Sequence, residues 1–183
     1  MSNEIHHVSD TAMWIAAYRA QESERPDAVF RDPLARKLAG DRGFRMVETT
    51  PNTSAMAFAM VARTTAIDSL VLRALEKGVD TVVNLGAGLD TRPYRLNLPA
   101  ALRWIEVDFP STIEYKNEML RTDRPVCQLQ RIASDLSDGS ERKILFERLG
   151  TETNHALIIT EGVVAYLSNT HAADLSADLH AQQ

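Results

Sequence analysis

Apolar residues recur at steps of three and four positions through residues 1–78 of the chain. That spacing places them on one face of a helix, so it predicts α-helices instead of strands. Asp32 is the predicted N-cap of a short helix that ends at Gly40, because Asp and Gly are typical of those two positions. The predicted helices cover residues 11–20, 33–39 and 54–77.

Beyond this helical part, short apolar runs alternate with helical patterns. Such alternation is typical of a parallel sheet covered by helices, and it predicts an α/β fold. The predicted strands cover residues 81–85, 103–107, 126–132 and 156–160. Further helices are predicted at 110–121, at 140–149 and after Ser168. We predict a single domain over 1–183, with a helical part at 1–78 and an α/β core at 79–183.

Composition is that of one ordinary domain and narrows the class of partner. The chain has 183 residues, 44% of them hydrophobic, which is enough for a substantial core. Its formal net charge of −5 argues against a general nucleic-acid binder, because contact with phosphates needs a basic face. We expect a small ligand or a protein as partner, and no nucleic acid.

The cysteine content and the N-terminus indicate the compartment. Cys127, the only cysteine, can form no internal disulfide, and the five histidines lack metal-ligand spacing, so we expect no metal site. The first ten residues lack a basic region followed by an apolar run, and no uninterrupted apolar stretch approaches the ~20 residues that span a bilayer. The sequence therefore predicts a cytoplasmic protein without membrane contact.

A glycine turn follows the first predicted strand directly, at Gly86 and Gly88. At the carboxyl edge of a parallel sheet, absent side chains let a ligand contact the backbone, although such glycines also occur for conformational reasons alone. Asp108 lies 22 positions after Gly86 (108 − 86), close to the ~20-residue offset at which a carboxylate receives ribose hydroxyls. Together these residues predict an adenosine-type ligand.

Charge at the turn distinguishes between adenosine cofactors. A dinucleotide usually needs a third glycine and donors for its pyrophosphate, whereas here Thr91 takes that position and Asp90 adds negative charge. S-adenosylmethionine has no phosphate and carries a positive sulfonium, so an acidic rim is tolerable for it and unfavourable for NAD. S-adenosyl-L-methionine is therefore the preferred cofactor, and an NAD-dependent oxidoreductase is the alternative.

Several segments resemble the leucine carboxyl methyltransferase-like family, which includes bacterial polyketide O-methyltransferases. The similar segments are 62–64, 84–92, 106–110, 135–136 and 161–167. The resemblance runs from about Thr11 to the end. It implies a Rossmann-like class I methyltransferase sheet with an N-terminal helical extension. The family's chains usually continue through further strands, so we expect a shortened member in which the late strands are missing.

The resemblance also implies which residues would hold the cofactor, while it assigns no catalytic residue. The implied contacts are Arg63 on the methionine carboxylate, Gly86 as backbone floor, Asp108 on the ribose, Asp135 and Leu136 around adenine, and Glu161 at the amine end. Each has a plain alternative: a solvated helical arginine at 63, a turn at 135, an ordinary strand exit at 161. We interpret Trp14, Trp104 and Tyr166 as packing residues, and Arg92 and Arg95 as solvated.

The predicted function is methyl transfer from S-adenosyl-L-methionine to a carboxylate or hydroxyl of a small molecule. In-line displacement at a methyl group that a sulfonium already activates depends mainly on alignment of the two reactants. Two alternatives stay open. One is a cofactor-binding remnant that lacks the acceptor pocket and catalytic activity; the other is the NAD-dependent oxidoreductase.

Overall fold

The computed structural model describes residues 8–153 and 155–181, and a helical part precedes the sheet. The helices of that part are α1, Val8–Glu24; α2, Ala35–Thr49; and α3, Thr53–Glu76. The predictions of helices at 11–20 and 54–77 are confirmed, because α1 contains the first range and α3 matches the second within one residue at each end.

Close packing joins α1 to α2. Ala16 and Ala17 on α1 and Leu38 on α2 are fully buried in one apolar cluster. Gly43 lies where the two helices are nearest, since a Cβ at that position would overlap the main-chain carbonyl of Met13. Small side chains on both helices therefore allow this approach.

The prediction that the second helix ends at Gly40 is confirmed. Gly40 has φ 54° and ψ −177°, outside helical geometry, so the range Ala35–Thr49 consists of two helical segments that meet at a kink at this residue. The segment from the kink to Thr49 was not predicted. Asp32 does not cap α2. The helix begins at Ala35, and the Asp32 carboxylate accepts the N–H of Leu34 (3.2 Å) in the preceding turn.

Asp32 instead ties the helical part to the loop that follows the first strand. Its Oδ2 accepts hydrogen bonds from Arg19 Nε (2.9 Å) and from Thr91 Oγ1 (2.6 Å), and all three residues are buried. Arg19 Nη2 also donates to the main-chain oxygen of Leu89 (2.6 Å). Because charge-assisted bonds are short and strong, these contacts hold α1 firmly against the loop.

Four parallel strands form one sheet within the described residues. They are β1, Thr81–Leu85; β2, Arg103–Asp108; β3, Gln128–Ala133; and β4, Ala156–Ile159. Their order across the sheet is β3-β2-β1-β4. The chain leaves β1 toward one side of the sheet and later returns to add β4 on the other. Such a reversal opens a crevice at the carboxyl ends of the strands.

The remaining described elements connect these strands. They are α4, Arg92–Arg95; α5, Pro110–Met119; α6, Gly139–Glu152; a 3₁₀ turn, Val164–Tyr166; and α7, Asn169–His180. Ser168 accepts the N–H of His171 (3.1 Å), which confirms the predicted cap of the last helix. The four predicted strands are confirmed, although β3 begins at Gln128 because the N–H of Val126 bonds to Pro93.

Side chains alternate between the two faces of the sheet, as the pleat of a strand requires. One face packs Val83 and Ile105 against α6 and α7. The other packs Val82 and Trp104 against Val71 of α3. Trp104 is fully buried, so its prediction as a packing residue is confirmed. A parallel sheet packed with helices, preceded in the chain by the helical part, confirms the predicted α/β fold class.

Among the described helices, α3 is long and apolar enough to cross a membrane by length and composition alone. Of its most apolar stretch, 22% is buried within the protein. Its exposed side includes Phe58 and Leu70. The helix also carries Arg63 and Asp68, two charged residues that interrupt the apolar run and form ion pairs with residues outside the helix. The cytoplasmic location stays a prediction.

Candidate functional site

A cleft of about 360 Å³ lies at the carboxyl ends of the strands. Small-molecule sites usually enclose roughly 300–1,000 Å³, so the volume of this cleft lies within the range of such sites. α1, α3, the glycine turn, the ends of β2 and β3, and the segment after β4 all contribute to its lining. The structure brings all six predicted site residues to this cleft: Arg63, Gly86, Asp108, Asp135, Leu136 and Glu161.

Glycine is required at position 86 for two reasons. Its φ of 66° lies in the left-handed region, and a Cβ there would stand 2.7 Å from Cβ of Val163 in the segment after β4. The N–H of Gly86 donates to the carbonyl of Val107 (2.8 Å), which holds the turn on the edge of the sheet. The turn therefore needs glycine for its own packing, and the same missing side chain leaves backbone exposed in the cleft floor.

The carboxylate of Asp108 joins the end of β2 to the glycine turn. Its Oδ2 accepts the N–H of Gly88 (2.7 Å), its Oδ1 accepts the N–H of Phe109 (2.8 Å), and the residue is 7% exposed. Each carboxylate oxygen has two lone-pair sites, so both can accept one further hydrogen bond. Asp108 is thus held in place with acceptor capacity left on each oxygen.

Asp135 and Leu136 both take part in the local structure while they line the cleft. Asp135 Oδ1 accepts from the N–H (2.8 Å) and hydroxyl (2.7 Å) of Ser137, which is the predicted turn. The N-cap of α6 is Asp138, whose side chain accepts two main-chain N–H groups. Leu136 is 5% exposed and packs in the core beneath α6. The contacts of both residues are explained by the local structure, so these contacts do not by themselves indicate a ligand.

At the opposite end of the cleft, Glu161 lies between two arginines. Its Oε1 is 2.8 Å from Arg63 Nε, and its Oε2 accepts a hydrogen bond from Arg92 Nη1 (2.8 Å). The contact with Arg63 is Coulombic only, because the geometry does not allow the Nε–H to donate. The Arg63 side chain is 36% exposed, whereas that of Arg92 is 3% exposed. Arg63 is therefore the cationic residue of this pair that can meet a ligand.

Arg92 is the centre of a buried charge network. Its Nη1 also contacts Asp90 Oδ2 (2.9 Å), and its Nε donates to Asp68 Oδ1 (2.7 Å). Asp68 accepts two further bonds from Arg95, at 2.6 and 2.8 Å, and Asn84 Nδ2 donates to Asp90 (2.8 Å). The prediction that Arg92 and Arg95 are solvated is wrong. Both side chains are buried, and carboxylates on α3 and at the end of the glycine turn bind them.

The network shifts the titration of its central groups. Burial alone raises the pKa of Asp90, but the nearby charges of Arg92 and Lys116 outweigh burial and hold that pKa well below its usual range. Burial lowers the pKa of Arg92, and the carboxylates of Asp90, Glu161 and Asp68 raise it further than burial lowers it. Asp90 is thus a paired anion. It does not supply the acidic rim that the sequence suggested.

A second buried pair lies beside this network. Lys116 and Glu106 are both fully buried, with Nζ 2.9 Å from Oε1, and Arg131 Nε donates to the other oxygen of Glu106 (2.8 Å). Burial lowers the pKa of Lys116, and the neighbouring carboxylates Glu106 and Asp90 oppose that shift. Buried or partly buried charged residues therefore also lie on α5, β2 and β3.

Apart from Arg63, sequence reasoning missed the contribution of the helical part to the cleft. Trp14, Ile15 and Met60 line it with apolar surface from α1 and α3. Trp14 packs edge-on against Tyr18 (centroids 5.3 Å apart) and also lines the cleft. Tyr166 was predicted to pack in the core but is 51% exposed at the cleft. Only the folding of α1 and α3 over the sheet brings these residues there.

Comparison with known proteins identifies relatives across most of the chain. A Streptomyces coelicolor protein is 42% identical over 130 residues, which are 67% of this chain and 46% of that protein. A Streptomyces avermitilis protein is 31% identical over the whole chain and 69% of its own length. A Parafrankia protein is 35% identical over 94% of this chain and 58% of its own length. All three are described as candidate S-adenosyl-L-methionine-dependent methyltransferases.

This chain therefore spans about half to two thirds of the length of these relatives. The sequence model of the family described as leucine carboxyl methyltransferase matches residues 12–180, from α1 to the end of α7. Because this match takes in the helical part, the glycine turn and the segment after β4 together, the chain belongs to the leucine carboxyl methyltransferase family.

Proposed function

We propose that the cleft binds S-adenosyl-L-methionine and that the protein transfers the methyl group to an oxygen of a small molecule, either a carboxylate or a hydroxyl. One observation carries the proposal. The cleft has a carboxylate with spare acceptor capacity, Asp108, near the glycine turn and a partly exposed arginine, Arg63, on the opposite side. These groups are complementary to the two polar ends of this cofactor.

In the proposed complex, Asp108 accepts the ribose hydroxyls, and Asp135 and Leu136 border the adenine. Arg63 binds the methionine carboxylate, because a planar guanidinium can donate two parallel hydrogen bonds to it. Glu161 lies beside Arg63 and attracts the ammonium group of the same ligand. The contacts of Asp108, Asp135 and Glu161 with neighbouring residues support the proposal, since they hold these side chains in position.

The cofactor supplies a methyl group that its sulfonium activates for displacement. The acceptor oxygen forms the new bond to carbon as the carbon–sulfur bond breaks, and the electron pair of that bond stays on sulfur. A carboxylate acceptor loses no proton, whereas a hydroxyl acceptor must release one. The chain's own part is to align the reactants and exclude water, which can supply several powers of ten in rate.

Apolar side chains in the cleft favour a small organic molecule as the methyl acceptor. Trp14 and Ile15 of α1 and Met60 of α3 line the cleft beside the glycine turn. Surfaces of this kind bury the carbon skeleton of a ligand, while a few polar groups orient it. An organic acid or phenol with an apolar body therefore fits this side of the cleft better than a strongly charged polymer does.

Calorimetry with S-adenosylmethionine and S-adenosylhomocysteine tests cofactor binding by the 183-residue chain. Transfer of labelled methyl to a panel of small carboxylic acids and phenols tests the reaction. We expect binding of both ligands and product with at least one acceptor. Binding without transfer to any of them would favour the cofactor-binding remnant. Binding of NAD with no response to S-adenosylhomocysteine would refute the proposal in favour of an oxidoreductase.

A further inference from the structure

We propose that Asp68, Asp90 and Arg92 make the cleft selective for adenosine ligands that carry an α-amino-acid end. They do so by holding Glu161, and through it Arg63, in the position that receives that end. This inference rests on the proposed function, because it names the residues that give the same site its specificity. Asp68, Asp90 and Arg92 are positioning residues, since none of them needs to contact the ligand.

The contacts form one continuous path from the interior to the cleft. Asp68 and Asp90 bind Arg92 from two sides, at 2.7 and 2.9 Å, and Arg92 donates to Glu161 Oε2 at 2.8 Å. The other oxygen of Glu161 lies 2.8 Å from Arg63. The guanidinium of Arg92 is bound by three carboxylates through Nε and Nη1 and cannot rotate without breaking an ion pair, so the orientation of Glu161 follows that of Arg92.

Exposure of the side chains rises from Arg92 toward the cleft. It is 3% for Arg92, 16% for Glu161 and 36% for Arg63. The buried end of the path therefore works in a low-dielectric environment, where ion pairs are strong and unpaired charges are costly. The exposed end meets solvent and the ligand. Such an arrangement places a rigid support behind the residues that would make contact.

Charge balance explains why the ligand needs an amino-acid end. Within the described residues, the network joins the carboxylates of Asp68, Asp90 and Glu161 to the guanidinium groups of Arg63, Arg92 and Arg95. These six charges sum to zero. A zwitterionic amino-acid end adds one charge of each sign, so it can pair with Arg63 and Glu161 and leave the network neutral. An adenosine without that end gains nothing from the network.

Two ligands separate this role from general stability of the fold. S-adenosylhomocysteine carries both the adenosine and the amino-acid end, whereas 5′-methylthioadenosine carries the adenosine and sulfur only. Calorimetry measures the dissociation constant of each ligand for the unsubstituted chain and for Arg92→Lys and Asp68→Asn. Lysine keeps the charge but donates from a single nitrogen, so it cannot reproduce the bonds that Nε and Nη1 of Arg92 make. Asparagine keeps the shape but loses the charge.

We expect both variants to weaken S-adenosylhomocysteine binding about tenfold, roughly the cost of one charge-assisted hydrogen bond. Binding of 5′-methylthioadenosine should change less than about twofold, since it does not reach Glu161. Asp108→Asn is the reference for the adenosine end and should weaken both ligands. Arg148→Gln, at an exposed ion pair on α6, should change neither.

Equal weakening of both ligands in Arg92→Lys and Asp68→Asn would overturn the inference, because it would indicate a structural role only. Unchanged S-adenosylhomocysteine binding would overturn it too, and the proposed function would stand. If Arg92→Lys does not fold, Asp68→Asn decides by the same criteria. If the unsubstituted chain binds neither ligand, the proposed function and this inference fall together.

Discussion

Replacement of Gly86 by alanine tests whether the glycine turn is shaped by the segment after β4. Two costs add at this position. A side chain must adopt φ 66°, and the new Cβ must stand 2.7 Å from Cβ and 2.8 Å from Cγ2 of Val163. Gly88 is a matched control, because its φ is 48° but its nearest atom, Cβ of Ala12, lies at an ordinary 3.5 Å.

The magnitudes follow from these two costs. A left-handed conformation costs an alanine about 1–2 kcal/mol relative to glycine. Overpacking adds about 1–3 kcal/mol, because both contacts are to a β-branched side chain and its Cβ cannot move without the backbone. Gly86→Ala should therefore lower the free energy of unfolding by roughly 2–5 kcal/mol, and Gly88→Ala by only about 1–2 kcal/mol.

Urea unfolding followed by circular dichroism and tryptophan fluorescence measures both variants. The midpoint and slope give the free energy of unfolding, provided that the two probes agree. Val163→Gly combined with Gly86→Ala completes a double-mutant cycle, and we expect the double variant to lose less stability than the sum of the single variants. Equal losses for Gly86→Ala and Gly88→Ala, together with additive effects in the cycle, would refute the proposed clash.

Three further predictions concern the charged groups of the cleft. Asp108→Asn should weaken S-adenosylhomocysteine binding about 10- to 100-fold by calorimetry, because bonds to a charged acceptor contribute roughly 1.5–3 kcal/mol; unchanged affinity would contradict the ribose assignment. Arg92→Met should lower the free energy of unfolding by about 3–5 kcal/mol, because it leaves buried carboxylates unpaired, whereas the exposed Arg148→Gln should cost less than about 0.5 kcal/mol. The third concerns pH. The pKa of Asp90 is depressed in the folded chain, so its contribution to stability is present above its usual value of 3.8 and is lost as the pH falls further. Urea midpoints between pH 6 and pH 3 should therefore fall more steeply for the unsubstituted chain than for Asp90→Asn, and parallel slopes would contradict the depressed pKa.

Local pattern was sufficient for most of the secondary structure. β1 was predicted at its observed bounds, because its five residues form an uninterrupted buried run between Gly78 and the glycine turn. The second half of α2 was missed. Its polar residues conceal the buried positions Met46 and Val47, and the burial of Val47 depends on contact with α1 and other distant residues. Periodicity within the segment could not indicate that partner.

The candidate site divides in the same way. Local sequence was enough to find the glycine turn, the acidic residue at the end of β2 and the motif after β4, because each is a short run whose meaning depends on neighbours along the chain. The pairing of the charges depends instead on the folded chain. Arg92 meets Asp68 across 24 positions and Glu161 across 69, and these contacts need α3 packed on the sheet and β4 placed beside β1. The attraction between opposite charges depends on distance in space and on burial, neither of which the local pattern contains. For that reason, Arg92 and Arg95 were interpreted as surface residues and instead hold together the buried side of the cleft.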